Sequence, residues 1–187
     1  CLVIPSQDGK HNDFEGFGMV DACAPFIEEG KLRLYCVDTI DAETWSCTWK
    51  NARDRIVLHE YWMQYLVQEV LPLMEKENKK QKAMGCSMGA FHAANLFFRF
   101  PDRFDTTICL SGIYDASQVL GGYMDDLVYL NSPYHCLQNM PEDHPYMALY
   151  RRSHMYFCVG QGDWEDELLA DTRKLDSVLK AKGIPAF

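Results

Sequence analysis

The sequence predicts an α/β domain, a mostly parallel sheet flanked by helices. Two observations point there. Five short segments, residues 2–5, 32–39, 82–86, 106–111 and 155–159, are apolar on successive residues rather than on alternate ones. That is the pattern of strands covered on both faces. Between them lie stretches with helical spacing or helix stops, and strand–helix alternation implies right-handed crossovers within one sheet.

The elements follow in order. Residues 17–29 read as a helix that stops at Gly30, a natural left-handed terminator. Residues 57–76 carry Leu58, Trp62, Tyr65, Leu66, Val70 and Leu73 near helical spacing, so this stripe is expected to face the core. Residues 89–100 end at Pro101, because the position before a proline disfavours helix. Residues 165–182 stop at Gly183-Ile184-Pro185, a helix-end signal. Residues 76–82 form a charge-rich run, expected to be a solvated loop. Residues 115–150 break the alternation. They hold Gly121-Gly122, Pro133, Pro141, Pro145 and many aromatics, too long for a loop and too apolar for a linker. The expectation is an insertion packed over the sheet's edge, either a lid or irregular packing.

Length and charge narrow the function. The 187 residues suit a single domain. The start at Cys1-Leu2-Val3-Ile4 and the stop at Ile184-Pro185-Ala186-Phe187, where another strand begins, suggest that the domain 1–187 is incomplete at both ends. With 18 basic against 27 acidic residues the net charge is −9. That lacks the basic footprint of a nucleic-acid binder and disfavours an anionic membrane surface. No apolar run approaches the roughly 20 residues of a membrane span. The eight cysteines are not bunched in loops and form no C-x-x-C, so free thiols are expected. Cys36, Cys109 and Cys158 should be buried, in a reducing, cytoplasmic setting. Scattered Cys and His argue against zinc.

The strongest chemical signal is Gly85-Cys86-Ser87-Met88-Gly89. It matches G-x-S-x-G, in which a serine sits on a sharp, strained strand-to-helix turn. An apolar strand precedes it, and a helix rich in small residues (Ala90, Ala93, Ala94) follows. Gly85 and Gly89 supply the lack of bulk that the turn needs, and the helix N-terminus favours a developing oxyanion. Cys86 is the less apt nucleophile, since this geometry presents its neighbour.

The motif continues as Ala90-Phe91-His92-Ala93-Ala94-Asn95 and Phe100-Pro101-Asp102-Arg103-Phe104. With Leu110-Ser111-Gly112-Ile113-Tyr114-Asp115, Asn131-Ser132-Pro133 and Gly160-Gln161-Gly162-Asp163-Trp164-Glu165-Asp166, the chain resembles the esterase group of α/β-hydrolases that includes esterase D, feruloyl esterases and the antigen 85 mycolyltransferases. The resemblance implies an α/β-hydrolase fold and a serine hydrolase. The chain order in that fold is Ser, acid, His. In similar members the acid lies in the loop after the strand at 155–159, which makes Asp163 the first candidate and Glu165 and Asp166 its rivals. A helix-capping role is the alternative for all three. The histidine follows the acid, and none of His11, His59, His92, His135, His144 and His154 does. The resemblance therefore implies a base beyond Phe187. His92 is expected to pack or face away, and His59 to be solvated or capping.

An oxyanion hole needs two N–H donors. Met88, after the nucleophile, offers one. The loop Ser6-Gln7-Asp8-Gly9 offers the other, from Gln7 or Asp8, with Gly9 allowing close approach; an ordinary Asp-Gly turn is the alternative. Trp45, Trp49 and Trp62 read as packing, Trp164 as packing or a pocket wall, and Asp125-Asp126 as a solvated pair. The function expected is serine-dependent hydrolysis of a small carboxylic ester or thioester through an acyl-enzyme on Ser87, with no metal or organic cofactor. No nucleic acid or membrane partner is expected, and homo-oligomerisation stays open. An acyltransferase, a peptidase and a non-catalytic hydrolase-like binding protein are the alternatives.

Overall fold

The computed structural model describes residues 1–76 and 79–187. In chain order the elements are β1 (Leu2–Ile4), α1 (Asp13–Gly16), α2 (Met19–Glu28), β2 (Tyr35–Cys36), a 3-10 turn at Asp41–Glu43, α3 (Ala52–Tyr65), a π-helical stretch at Leu66–Val70 and α4 (Leu71–Glu75). Then come β3 (Gln81–Cys86), α5 (Met88–Arg99), β4 (Phe104–Leu110), α6 (Ala116–Val119), α7 (Asp126–Leu130), α8 (Pro133–Asn139), α9 (Pro145–Tyr150), β5 (His154–Cys158) and α10 (Asp166–Ala181).

The five strands pair in the order β2-β1-β3-β4-β5, and every pair is parallel. Beyond β5 the chain begins to pair again. Phe187 N–H donates to Met155 O at 2.9 Å, and Phe157 N–H donates to Phe187 O at 2.7 Å. The order places the site. From β1 the chain moves outward to β2, then returns to lay β3 on the other side of β1. Loops leaving β1 and β3 therefore diverge, and a crevice opens between the carboxyl ends of those strands.

The core is built on α5. Leu2, Ile4, Ala83, Phe104 and Cys109 of the sheet meet Ala90, Ala93, Ala94, Leu96 and Phe97 of α5, with Leu175 and Leu179 of α10 in the same cluster. Three alanines let the helix axis approach the strands, and Phe97 and Phe98 fill the flank. The other sheet face differs from expectation. Gln81, Ala83 and Gly85 are buried, whereas Lys82 and Cys86 are exposed, and on β5 His154, Tyr156 and Cys158 are exposed. Those strands alternate, because among the described residues helices cover mainly one face. Cys158 is thus exposed and Cys36 half-buried, and only Cys109 of that trio is fully buried; all eight thiols are free.

Three further expectations shift. The helix expected at 57–76 starts earlier, because Asn51 accepts Asp54 N–H at 2.9 Å as an N-cap. It loses α-helical pattern ahead of Pro72, which has no N–H to give the carbonyl four residues back. Trp62, Leu66 and Val70 are buried as expected and Met63 and Met74 join them, whereas Tyr65 and Leu73 point outward. Only two residues of the strand expected at 32–39 pair, since this edge meets only the short β1. The segment 115–150 connects the paired strands β4 and β5. It forms α6 to α9, of which α7 packs against α3 and α8 against α5 and α10, because adjacent parallel strands β4 and β5 require a crossover on one face. Of the charge-rich run at 76–82, residues 77 and 78 lie outside the described residues, and Gln81 and Lys82 already belong to β3.

Candidate active site

Ser87 terminates β3 and opens α5 with φ 56° and ψ −122°, a backbone shape that residues with a Cβ rarely adopt. The surroundings hold it there. Ser87 N–H donates to Leu110 O at 2.8 Å, and Ser87 O accepts from Ala90 N–H at 3.0 Å and Phe91 N–H at 3.3 Å. A Cβ at Gly85 would lie 2.2 Å from the Gly89 carbonyl, and one at Gly89 would lie 2.3 Å from the carbonyl oxygens of Ile4 and Pro5. The start of α5 is therefore wedged against the ends of β1 and β3, at the crevice. Ser87 is half-buried, and among the described residues its hydroxyl has no hydrogen-bond partner. Met88 is the first residue of α5, so its N–H has no intrahelical acceptor.

Across the crevice, Gly9 N–H donates to Ser6 O at 2.9 Å, which closes a turn over Gln7 and Asp8. Gln7 is exposed, and Asp8 has φ 59°. Gly9 is buried at the end of this turn. A Cβ there would meet Asp13 Oδ2 at 2.6 Å and Pro5 Cβ at 2.7 Å, so its lack of a side chain makes room for the chain's own turn. Asp8 Oδ1 accepts the Ser46 hydroxyl at 2.9 Å.

The loop after β5 separates the three acids. Glu165 Oε1 accepts the Ser111 hydroxyl at 2.6 Å and Gly160 N–H at 2.9 Å, and its Oε2 accepts Gly162 N–H at 3.1 Å. The Ser111 hydroxyl, then the two backbone donors, hold this carboxyl below its ordinary value. Asp163 and Asp166 are exposed, and among the described residues neither side chain is hydrogen-bonded. Cys86 pairs with Leu110 in register, so the residues that follow, Ser87 and Ser111, stand side by side at the strand ends. Ser111 also has a positive φ, 49°, and its N–H donates to Cys158 O at 2.7 Å. Desolvation, followed by the charge of Glu165, pushes the Cys86 thiol up. Ser111 was legible only as part of a family-like string; nothing in spacing couples it to a residue 54 positions later.

The histidines lie elsewhere. His59 is buried rather than solvated: its Nδ1 accepts Trp45 Nε1–H at 3.1 Å, and its ring stacks on His92 with centroids 5.2 Å apart. Burial, then the charges of His92 and Arg99, hold His59 well below the usual histidine range. His92 packs as expected, fully buried, with Nε2 2.9 Å from Asp41 Oδ1. His135 Nδ1 is 2.9 Å from Ser132 Oγ, His144 Nδ1 accepts Tyr146 N–H at 3.2 Å, His11 meets Asp38, and His154 is exposed. Trp45 and Trp62 are buried, and Trp49 and Trp164 exposed. Asp125 and Asp126 pair with Arg53. Among the described residues no group of three or more His, Cys, Asp or Glu side chains is placed to hold a metal ion, and no helix is long and apolar enough to cross a membrane.

A family model described as "Putative esterase" matches residues 3–185. The chain belongs to this esterase family. It is accordingly an enzyme of the esterase type, on an α/β-hydrolase fold. A ferulic acid esterase superimposes with a TM-score of 0.68 at 16% identity, over 99% of this chain and 73% of that one. S-formylglutathione hydrolases from Agrobacterium tumefaciens (TM-score 0.70, 17% identity, 100% and 73% covered) and Staphylococcus aureus (0.67, 16%, 99% and 69%) share the same architecture. No curated protein matches the chain.

Proposed function

We propose that this esterase cleaves small carboxylic esters or thioesters through an acyl-enzyme on Ser87. The observation that carries the reading is the strained backbone of Ser87, wedged by Gly85 and Gly89 at the crevice between β1 and β3. The Ser87 oxygen attacks the acyl carbon, and its proton passes to a base. The tetrahedral oxyanion is held by the N–H of Met88, at the positive end of α5, and by that of Gln7 in the facing loop. Collapse expels the alcohol, which takes the proton. Water then attacks the acyl-serine by the same route and releases the acid.

Of the three acids, Glu165 supports the orienting role best. It is pinned by three donors beside the strand end next to Ser87, whereas Asp163 is exposed. Among the described residues no histidine is hydrogen-bonded to Ser87 or to Glu165: His92 faces Asp41, His59 faces Trp45 and His135 faces Ser132. A carboxylate held below its ordinary value stays ionised at neutral pH and can stabilise an imidazolium.

The test uses the full-length protein. Turnover of p-nitrophenyl acetate and labelling by a fluorophosphonate are both expected, and Ser87→Ala should abolish labelling and lower turnover by about 10³-fold or more. Undiminished turnover in that variant would refute the assignment.

A further inference from the structure

The buried pair His92–Asp41 has no part in the chemistry above, yet it sits one helical turn from Met88. His92 and Asp41 are both essentially inaccessible to solvent. His92 Nε2 and Asp41 Oδ1 share one hydrogen bond at 2.9 Å. His92 Nδ1 and Asp41 Oδ2 are then left without partners among the described residues. A buried pair with two orphan atoms is a poor stabiliser compared with apolar packing, so stability does not account for it.

Its connections do. Asp41 O accepts the N–H groups of Thr44 at 2.9 Å and Ser46 at 2.8 Å, which folds residues 41–46 into a tight turn. Arg55 clamps that turn to α3 by donating to Thr44 O at 2.6 Å and to Trp45 O. Trp45 wedges against Phe91 and His59, with ring centroids 4.8 Å away in each case. From the far side of the turn the Ser46 hydroxyl reaches Asp8 Oδ1 at 2.9 Å. Asp8 is the left-handed residue next to Gln7. An unbroken path thus runs from α5, which carries the Met88 N–H, to the loop that carries the Gln7 N–H. A second tie, from Thr39 to Gly9 O, is long at 3.4 Å.

We propose that His92, Asp41 and Ser46 are positioning residues: their hydrogen-bonded path fixes the loop after β1 at the distance from α5 that two donors to one oxyanion require. The inference rests on the ester-hydrolase reading. Because these donors act on a charge that develops in the transition state, a displaced loop lowers kcat and leaves KM nearly unchanged.

The experiment measures kcat and KM for p-nitrophenyl acetate in the full-length protein, with active sites counted by fluorophosphonate labelling and Tm recorded for each variant. Ser46→Ala should lower kcat about tenfold with KM within about twofold, and Ser46→Thr should restore it. His92→Phe, which fills the space without the hydrogen bond, should act on the same path, so the double variant should lose no more than the worse single variant. Multiplying losses, or an unchanged kcat in Ser46→Ala while Ser87→Ala is inactive, would overturn the positioning role and leave the hydrolase reading intact. If His92→Phe does not fold, Ser46→Ala and Ser46→Thr decide alone: a tenfold loss with rescue supports the role, and normal kcat ends it. Turnover surviving in Ser87→Ala would remove both readings together.

Discussion

The turn after β3 and the loop after β5 bring polar residues to the same edge of the sheet by different physical means. The first is local and steric. Gly85 and Gly89 meet only backbone, which cannot move aside, so the five-residue motif and the strand beside it are enough to force Ser87 into its strained shape. The second is tertiary and soft. A Cβ at Gly160 would lie 2.1 Å from Glu165 Oε2, the free end of a flexible side chain held by hydrogen bonds to Ser111, Gly160 and Gly162. A backbone wedge fails by unfolding, whereas a hydrogen-bonded side chain fails by swinging away.

Paired substitutions can break this contrast. Gly89→Ala, jammed against two carbonyl oxygens, should lower stability by about 2–3 kcal/mol or more in denaturant titration and remove activity with it. Gly160→Ala should leave the unfolding midpoint nearly unchanged and still reduce turnover, because Glu165 alone must yield. Equal Tm losses in the two variants would erase the distinction.

A second pair sharpens it. Glu165→Gln should lower kcat by about 10⁴-fold, the size of loss seen when the orienting acid of a serine triad is neutralised. Asp163→Asn should stay within about twofold. The reverse order would move the orienting role to Asp163.

The smallest effect expected is on stability against pH. The folded-state pKa of Glu165 is depressed, so its contribution is fully present above the ordinary glutamate value of about 4.3 and is lost as pH falls through the lower folded value. The Tm gap between the wild type and Glu165→Gln should therefore be constant near neutrality and close only below about pH 4. A gap that closes at pH 6 would mean that the three donors do not hold the carboxylate as described.

The same division explains what could be read in advance. β3, β4 and β5 fell within two residues of the expected segments, since a run of apolar residues between turn signals is a local property. Of the stripe expected at 57–76, Trp62, Leu66 and Val70 are buried, but Tyr65 and Leu73 point outward. His59, expected to be solvated or capping, is inside, where Trp45 donates to it. No spacing rule connects positions 45 and 59, just as none connects Ser111 to Glu165 or Ser46 to Asp8.

The linear chain by itself determined the alternation of strand and helix and the bend at Ser87, because steric exclusion acts between near neighbours along the backbone. Only the folded arrangement decided which carboxylate is pinned, which histidines are sealed in the interior and which sheet face is covered. Hydrogen bonds and burial depend on groups far apart in sequence, and the strand order β2-β1-β3-β4-β5 is what brings those groups together.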